Sequence, residues 1–263
     1  MKVPKNFVFL HRGLTLRASF YQVPAPIDYV VLNHGFSSNR YGTGRLLVQI
    51  ARALHDEGYA VLAFDRLGHG ESDGEFSEIT ASDEVRQLET VLDTMKQRVG
   101  RPMHVVGHSL GGMGAAVLAG ERPDLVKSLN LWAPAASFVE DINGGHIMGD
   151  PLPENPEEEL FDFDGQGVGA PFINDARAFD PYRGLGNYDG PVNLHHAEDD
   201  PIVPIRASER YLSLWGEQAR LHRYSIGGHG WTQLGARKRL IQQTVADIEA
   251  FSDMSDTGLR AAS

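Results

Sequence analysis

Residues 103–119 read Met-His-Val-Val-Gly-His-Ser-Leu-Gly-Gly-Met-Gly-Ala-Ala-Val-Leu-Ala. A short apolar run, Met103 to Val106, leads into Gly107-His108-Ser109-Leu110-Gly111, and a stretch of small residues follows. Glycine, any residue, serine, any residue and glycine between a strand and a helix make the sharp turn called a nucleophile elbow. In such a turn the serine hydroxyl stands clear of the backbone. Glycines at 107 and 111 remove the Cβ atoms that would collide in it. Ser109 is therefore the candidate nucleophile. The pentapeptide alone is a weak signal, because a surface turn can produce it by chance, so its weight depends on what lies downstream.

An elbow serine needs a base and an orienting acid, in the chain order Ser, Asp or Glu, His. After Ser109 a strand-like run from Pro191 to His196 ends in Ala197-Glu198-Asp199-Asp200-Pro201. A second run, Leu221 to Ile226, ends in Gly227-Gly228-His229-Gly230-Trp231. Taken singly, an acid before proline is often a turn residue and a histidine among glycines is often a solvated loop. Three such sites in order, each at a strand end, point to a Ser109–Asp200–His229 triad. Asp200 rather than Asp199 is favoured because Pro201 biases it away from the helical region and holds the bend open. Upstream, Tyr29 to Asn33 has a buried-strand pattern and precedes His34-Gly35-Phe36. A His-Gly-X turn there supplies the backbone N–H of X to an oxyanion hole, with the N–H of Leu110 as the second donor. His34 itself is expected to brace the loop.

The chain has 263 residues, a net charge of −11, 41% hydrophobic and 22% charged residues, and no cysteine. That length suits one large α/β domain with a complete core. The negative charge argues against phosphate-backbone binding. The lack of cysteine excludes disulfides, thiolate catalysis and cysteine metal sites. No run approaches the ~20 apolar residues of a membrane span, and the N-terminus lacks the apolar region of a signal peptide. The reading is a cytoplasmic protein without a membrane span or a nucleic-acid partner, with a homodimer left open. No cofactor and no metal are expected. The paired His195 and His196 point to opposite faces of a strand and cannot easily share one ion.

Around the elbow, strands alternate with helical patterns. Phe7 to Leu10 and Leu14 to Tyr21 suggest an opening hairpin. Leu46, Leu47, Ile50, Ala51 and Leu54 repeat at helical spacing, Ala60 to Phe64 is a buried strand, and Ser82-Asp83-Glu84 opens a helix. Val126 to Ala133 is another strand. The Gly-rich loop from Asp65 to Ser72 is read as structural. Such alternation implies a mostly parallel sheet with helices on both faces, and the elbow makes it an α/β-hydrolase fold. Residues 135–187 break the rhythm, with prolines at 151, 153 and 156 and eleven Asp or Glu against two Arg. A structureless loop of that length inside a compact domain is unlikely. The expected organisation is a core of residues 1–134 and 188–263 with an inserted cap, or lid, at 135–187. Residues 252–263 read as a frayed tail.

With these stretches in hand, the chain resembles the cinnamoyl and feruloyl esterases of the α/β-hydrolase superfamily. The resemblance covers nearly the whole chain. It rests on Asn33-His34-Gly35-Phe36, Asp65 to Gly74, Gly107 to Gly112, Leu131-Trp132-Ala133-Pro134-Ala135-Ala136, and the Asp200 and His229 segments. The narrower matches are Ala-Pro-Ala-Ala leading into a cap of this size and Gly74-Glu75-Phe76. The family's spacing of acid to following valine is met by Asp200-Pro201-Ile202-Val203. The resemblance implies cofactor-free hydrolysis of carboxylic esters through an acyl-enzyme, on aromatic (hydroxycinnamoyl or feruloyl-type) or short-chain acyl esters. It implies that cap residues recognise the acyl group, with Asp141 placed to meet a phenolic hydroxyl. Met148 stands where the family often has a polar residue, and Ala197 where it usually has Gly. The alternatives are a thioesterase, a peptidase or a cofactor-free perhydrolase on the same triad, or a non-catalytic binding protein with this fold.

Overall fold

The structure is a computed structural model that describes residues 3–252. The first half runs β1 (Lys5–His11), β2 (Leu14–Tyr21), β3 (Tyr29–Asn33), α1 (Leu46–Asp56), β4 (Ala60–Phe64), α2 (Ala81–Val99), β5 (Met103–His108), α3 (Leu110–Glu121) and β6 (Val126–Trp132). Then come α4 (Phe138–Asn143), β7 (His146–Ile147), β8 (Asp150–Pro151), β9 (Phe161–Phe163), β10 (Gln166–Val168) and α5 (Ala170–Ala178). The chain closes with β11 (Val192–Ala197), α6 (Arg206–Trp215), β12 (Ala219–Tyr224) and α7 (Leu234–Ser252).

Eight strands form one sheet in the order β1-β2-β4-β3-β5-β6-β11-β12. The β1–β2 and β2–β4 ladders are antiparallel and the rest are parallel. Successive side chains on a strand face opposite ways, and the inner strands split their apolar residues accordingly. Val31, Leu62 and Phe64 join a core with Val85 and Leu88 of α2, Met113 of α3 and Tyr211 of α6. Val30, Leu32, Val61 and Ala63 join a second core with Leu46, Ile50 and Leu54 of α1 and Leu240 and Ile248 of α7. Helices thus cover both faces, which is why β3 and β4 carry apolar residues at consecutive rather than alternate positions.

The strand order places the site. From β3 the chain crosses to β4 on one side, then returns so that β5 lies against the other edge of β3, with Asn33 opposite Gly107. Loops leaving β3 and β5 therefore diverge, and a crevice opens outside the carboxyl ends of these strands.

Between β6 and β11 the chain leaves the sheet. Its two small antiparallel hairpins, β7–β8 and β9–β10, lie between α4 and α5. Ile142, Ile147, Phe161, Val168, Phe172 and Ile173 are buried in the same core as α2 and α3. Glu154, Glu157, Glu158 and Glu159 are exposed. The segment is thus acidic outward and apolar inward. Asp175 of α5 takes the amide and hydroxyl of Ser82 at 2.8 and 2.6 Å, tying the segment to the start of α2.

Several boundaries differ from the sequence reading by a residue or more. Helix α2 starts at Ala81, because Thr80 caps it by accepting the Asp83 amide at 3.1 Å. Strand β12 ends at Tyr224, and Ile226 is exposed beyond it. Ser252 is the last residue of α7 rather than part of a tail, and it is buried with its hydroxyl on the Ile248 carbonyl. The remainder of that tail lies outside the described residues.

Candidate active site

Ser109 occupies the turn between β5 and α3 with φ 55° and ψ −123°. An L-residue there is strained by roughly 1–3 kcal/mol and persists only where its surroundings over-determine it. Here they do. The Ser109 amide donates to Trp132 O at 2.8 Å, and its carbonyl accepts from Gly112, Met113 and Ala135. A Cβ on Gly111 would sit 2.1 Å from the carbonyl oxygen of His34, so only glycine lets α3 approach the β3 loop this closely.

His229 lies in the loop after β12. Its Nε2 is 2.9 Å from Ser109 Oγ and its Nδ1 2.8 Å from Asp200 Oδ2. Asp200, after β11, accepts the amides of Ile202 and Val203 on Oδ1 at 2.8 and 3.0 Å. Burial alone would raise the Asp200 carboxyl, but its bond with His229 and these two amides hold it below the usual carboxylate range. His196 braces the same turn, with Nε2 donating to Val203 O at 2.8 Å and Nδ1 paired with Ser208 Oγ. Asp199 serves a different loop. Its Oδ1 accepts the amides of Gly227 and Gly228 at 2.8 and 2.7 Å, capping the turn just ahead of His229.

Phe36 and Leu110 meet the nucleophile from the other side. A Cβ on Gly35 would lie 3.1 Å from Ser109 Cβ, so the 34–36 loop is packed against the elbow. Among the described residues neither the Phe36 nor the Leu110 amide is taken by another acceptor. His34 braces the loop as expected, its Nε2 accepting the Arg66 amide at 3.2 Å.

The residue that organises this loop is Arg66, which the sequence reading left in a structural loop. Its guanidinium is fully buried and donates to Asn33 Oδ1, His34 O and Gly35 O at 3.1, 2.5 and 2.8 Å. Its charge is matched by Glu84, 3.2 Å from Nε. Asn33 in turn donates to Gly111 O at 2.9 Å. One network therefore links the β3 loop to the elbow. His108, the variable residue of the pentapeptide, donates from Nε2 to the His229 carbonyl at 2.9 Å. Burial, and then His229 beside it, push the His108 imidazole down to about 3. An arginine after a buried strand that must find acceptors was a readable signal for Arg66. Nothing in the sequence pairs His108 with residue 229.

A narrow cleft opens at Ser109. Phe36, Leu110, Asp141 and Met148, all singled out from the sequence, line it, together with Phe138 and Phe172 from the inserted segment. Phe36 packs on Phe76, Phe163 and Phe172 with ring centroids 5.1–5.3 Å apart. Asp141 is the acidic residue of a mostly apolar lining, and burial, then Glu140 beside it, raise its carboxyl.

A family model described as "Serine aminopeptidase, S33" (Hydrolase_4) matches residues 24–148. Ferulic-acid-bound Est1E from Butyrivibrio proteoclasticus superposes with a TM-score of 0.82 at 24% identity, covering 92% of this chain and 99% of that one. The chain has the α/β-hydrolase fold. Among its curated relatives is the Lysophosphatidylserine lipase ABHD12 of Danio rerio, 30% identical over 200 residues, 73% of this chain and 48% of that protein. Another is the human Monoglyceride lipase, 34% identical over 115 residues, 42% of this chain and 35% of that protein. The chain thus spans less than half the length of these relatives. Among the described residues no helix is long and apolar enough to cross a membrane.

Proposed function

We propose that this α/β-hydrolase is a serine carboxylic-ester hydrolase acting through an acyl-enzyme. The observation that carries the proposal is the continuous relay Asp200–His229–Ser109, with bonds of 2.8 and 2.9 Å, facing two uncommitted amides. In this reading His229 Nε2 takes the Ser109 proton as Oγ attacks the ester carbonyl. Asp200 fixes the imidazole through Nδ1 and balances its charge once it is protonated. The oxyanion is held by the N–H groups of Phe36 and Leu110, a contact worth ~3–4 kcal/mol of barrier per donor. The imidazolium then gives its proton to the departing alcohol. Water next attacks the acyl-enzyme with His229 again as base, and Ser109 recovers its proton.

The acyl group of this reading is aromatic. Phe36, Phe138 and Phe172 offer flat apolar surface in the cleft, and Asp141 is a lone carboxylate able to accept a hydroxyl at its far end. The segment 135–187 acts as the lid, since it contributes Phe138, Asp141, Met148 and Phe172 to the lining. The resemblance to a ferulate-bound esterase supports the same choice. A second reading is a monoacyl lipid ester, favoured by the lipases among the relatives and by the apolar lining.

Labelling by a fluorophosphonate at Ser109, abolished by Ser109→Ala, tests the chemistry. Alanine is smaller and should fold, while kcat is expected to fall on the order of 10⁴–10⁶-fold. Full activity in a folded Ser109→Ala protein would sink the reading. Comparing kcat/KM on methyl ferulate, p-nitrophenyl acetate and a monoacylglycerol then decides the acyl group.

A further inference from the structure

On the α7 side of the sheet, away from the elbow, three ligand-type atoms converge. His195 Nε2 on β11 and His222 Nε2 on β12 each lie 3.3 Å from Asp247 Oδ2 on α7. All three atoms lie within 4.8 Å of one another. Each is buried, and none makes a well-aligned hydrogen bond. The two rings stack at 4.8 Å and 15° because His195 and His222 are register partners on neighbouring parallel strands. We propose that His195, His222 and Asp247 form a binding site for a divalent transition metal of the zinc type.

Two imidazoles and a carboxylate are the donor set that zinc accepts, leaving a fourth position for water. In a tetrahedron with bonds of ~2.0–2.1 Å, ligand atoms stand about 3.3 Å apart. That is the separation of both imidazole–carboxylate pairs here. The surrounding residues support the ligands as metal sites require. Tyr224 Oη lies 3.0 Å from His195 Nδ1 and can accept its proton, which leaves the Nε2 lone pair facing Asp247. Gln243 donates to Asp247 Oδ1 at 3.0 Å, which leaves Oδ2 for the ion. His222 is a quarter exposed on the last strand of the sheet, so an ion has a route in. The expectation of no metal weighed His195 only with its sequence neighbours His196, Glu198, Asp199 and Asp200, and the two histidines do point to opposite faces. The partner of His195 lies across the strands, 27 residues away in sequence. Burial alone would raise the Asp247 carboxyl, but the facing imidazoles of His195 and His222 hold it low.

Isothermal titration of the full chain with ZnCl₂ in a non-chelating buffer tests this. One ion should bind per chain with micromolar Kd and raise Tm. His222→Gln, at a partly exposed position, should fold and weaken binding at least tenfold while leaving ester hydrolysis unchanged. Asp247→Asn should weaken binding in the same way, and exposed His146→Gln should bind like the parent. No binding in the parent, or binding unchanged by His222→Gln, overturns the proposal. The first result would leave the cluster a carboxylate between two imidazoles, and the second would put the ion elsewhere.

Discussion

Asp199 and Asp200 are neighbours whose carboxylates hold different loops. Asp200 reaches the His229 imidazole, while Asp199 holds the backbone two residues before it. Asp200→Asn should lower kcat by about 10³–10⁴-fold, since the amide favours the wrong tautomer of the histidine. Asp199→Asn keeps an acceptor oxygen for the two glycine amides and should cost less than about tenfold. The reverse ranking, on folded variants with one ester, would reassign the acid. Arg66 gives a second test. Its planar fork holds two carbonyls and Asn33 at once, which a lysine cannot reproduce. Arg66→Lys should reduce kcat by roughly 10–100-fold with little change in KM, through a loosened Phe36 amide. A raised KM at constant kcat would mean that the loop serves binding alone. Asp200 was legible because Pro201 and the strand before it mark the bend. Arg66 was marked only by its place after a buried strand, because its acceptors are mostly backbone carbonyls that only the pairing of β3 with its neighbours brings within reach.

At the scale of elements, helical spacing in α1 and the unbroken apolar run of β4 were readable, since each pattern has a core face to explain it. The hairpins β7–β8 and β9–β10 were not, because strands of two or three residues carry no period. Their buried residues Ile147, Phe161 and Val168 belong to the core shared with α2 and α3, which the local sequence does not encode. The segment 135–187 is joined to α2 through Asp175 and Ser82. Asp175→Ala should release α5 and with it Phe172. The expected outcome is a KM about tenfold higher on an aryl-acyl ester, ~1.4 kcal/mol of binding, with p-nitrophenyl acetate unaffected. Equal losses on both esters would make the segment structural rather than selective.

Over the whole molecule, the buried histidines set the response to acid. His34, His69, His104, His108, His195 and His196 are all driven down chiefly by burial, His69 and His108 to about 3. In the unfolded chain such groups titrate near ~6.5. Between those values the unfolded state binds more protons, so stability falls as pH drops from ~6.5. Each fully suppressed imidazole contributes about 1.4 kcal/mol per pH unit to that fall. Asp28 is held at about 2 by His104 and Lys127 against the effect of burial, so its contribution stays intact until the pH is below ~4 and does not offset the loss. Urea midpoints should therefore be clearly lower at pH 5.5 than at pH 7.5. Equal midpoints would contradict the neutral burial of these groups. The site itself is divided along the chain. Ser109 and His229 are 120 residues apart, and they meet only when β5, β6, β11 and β12 are joined in order. Pairings of such sequence separation form late, because loop closure precedes their reward. Recovery of esterase activity on refolding should then lag behind recovery of helical signal, and a nascent chain should be inert until β12 and its loop have emerged from the ribosome.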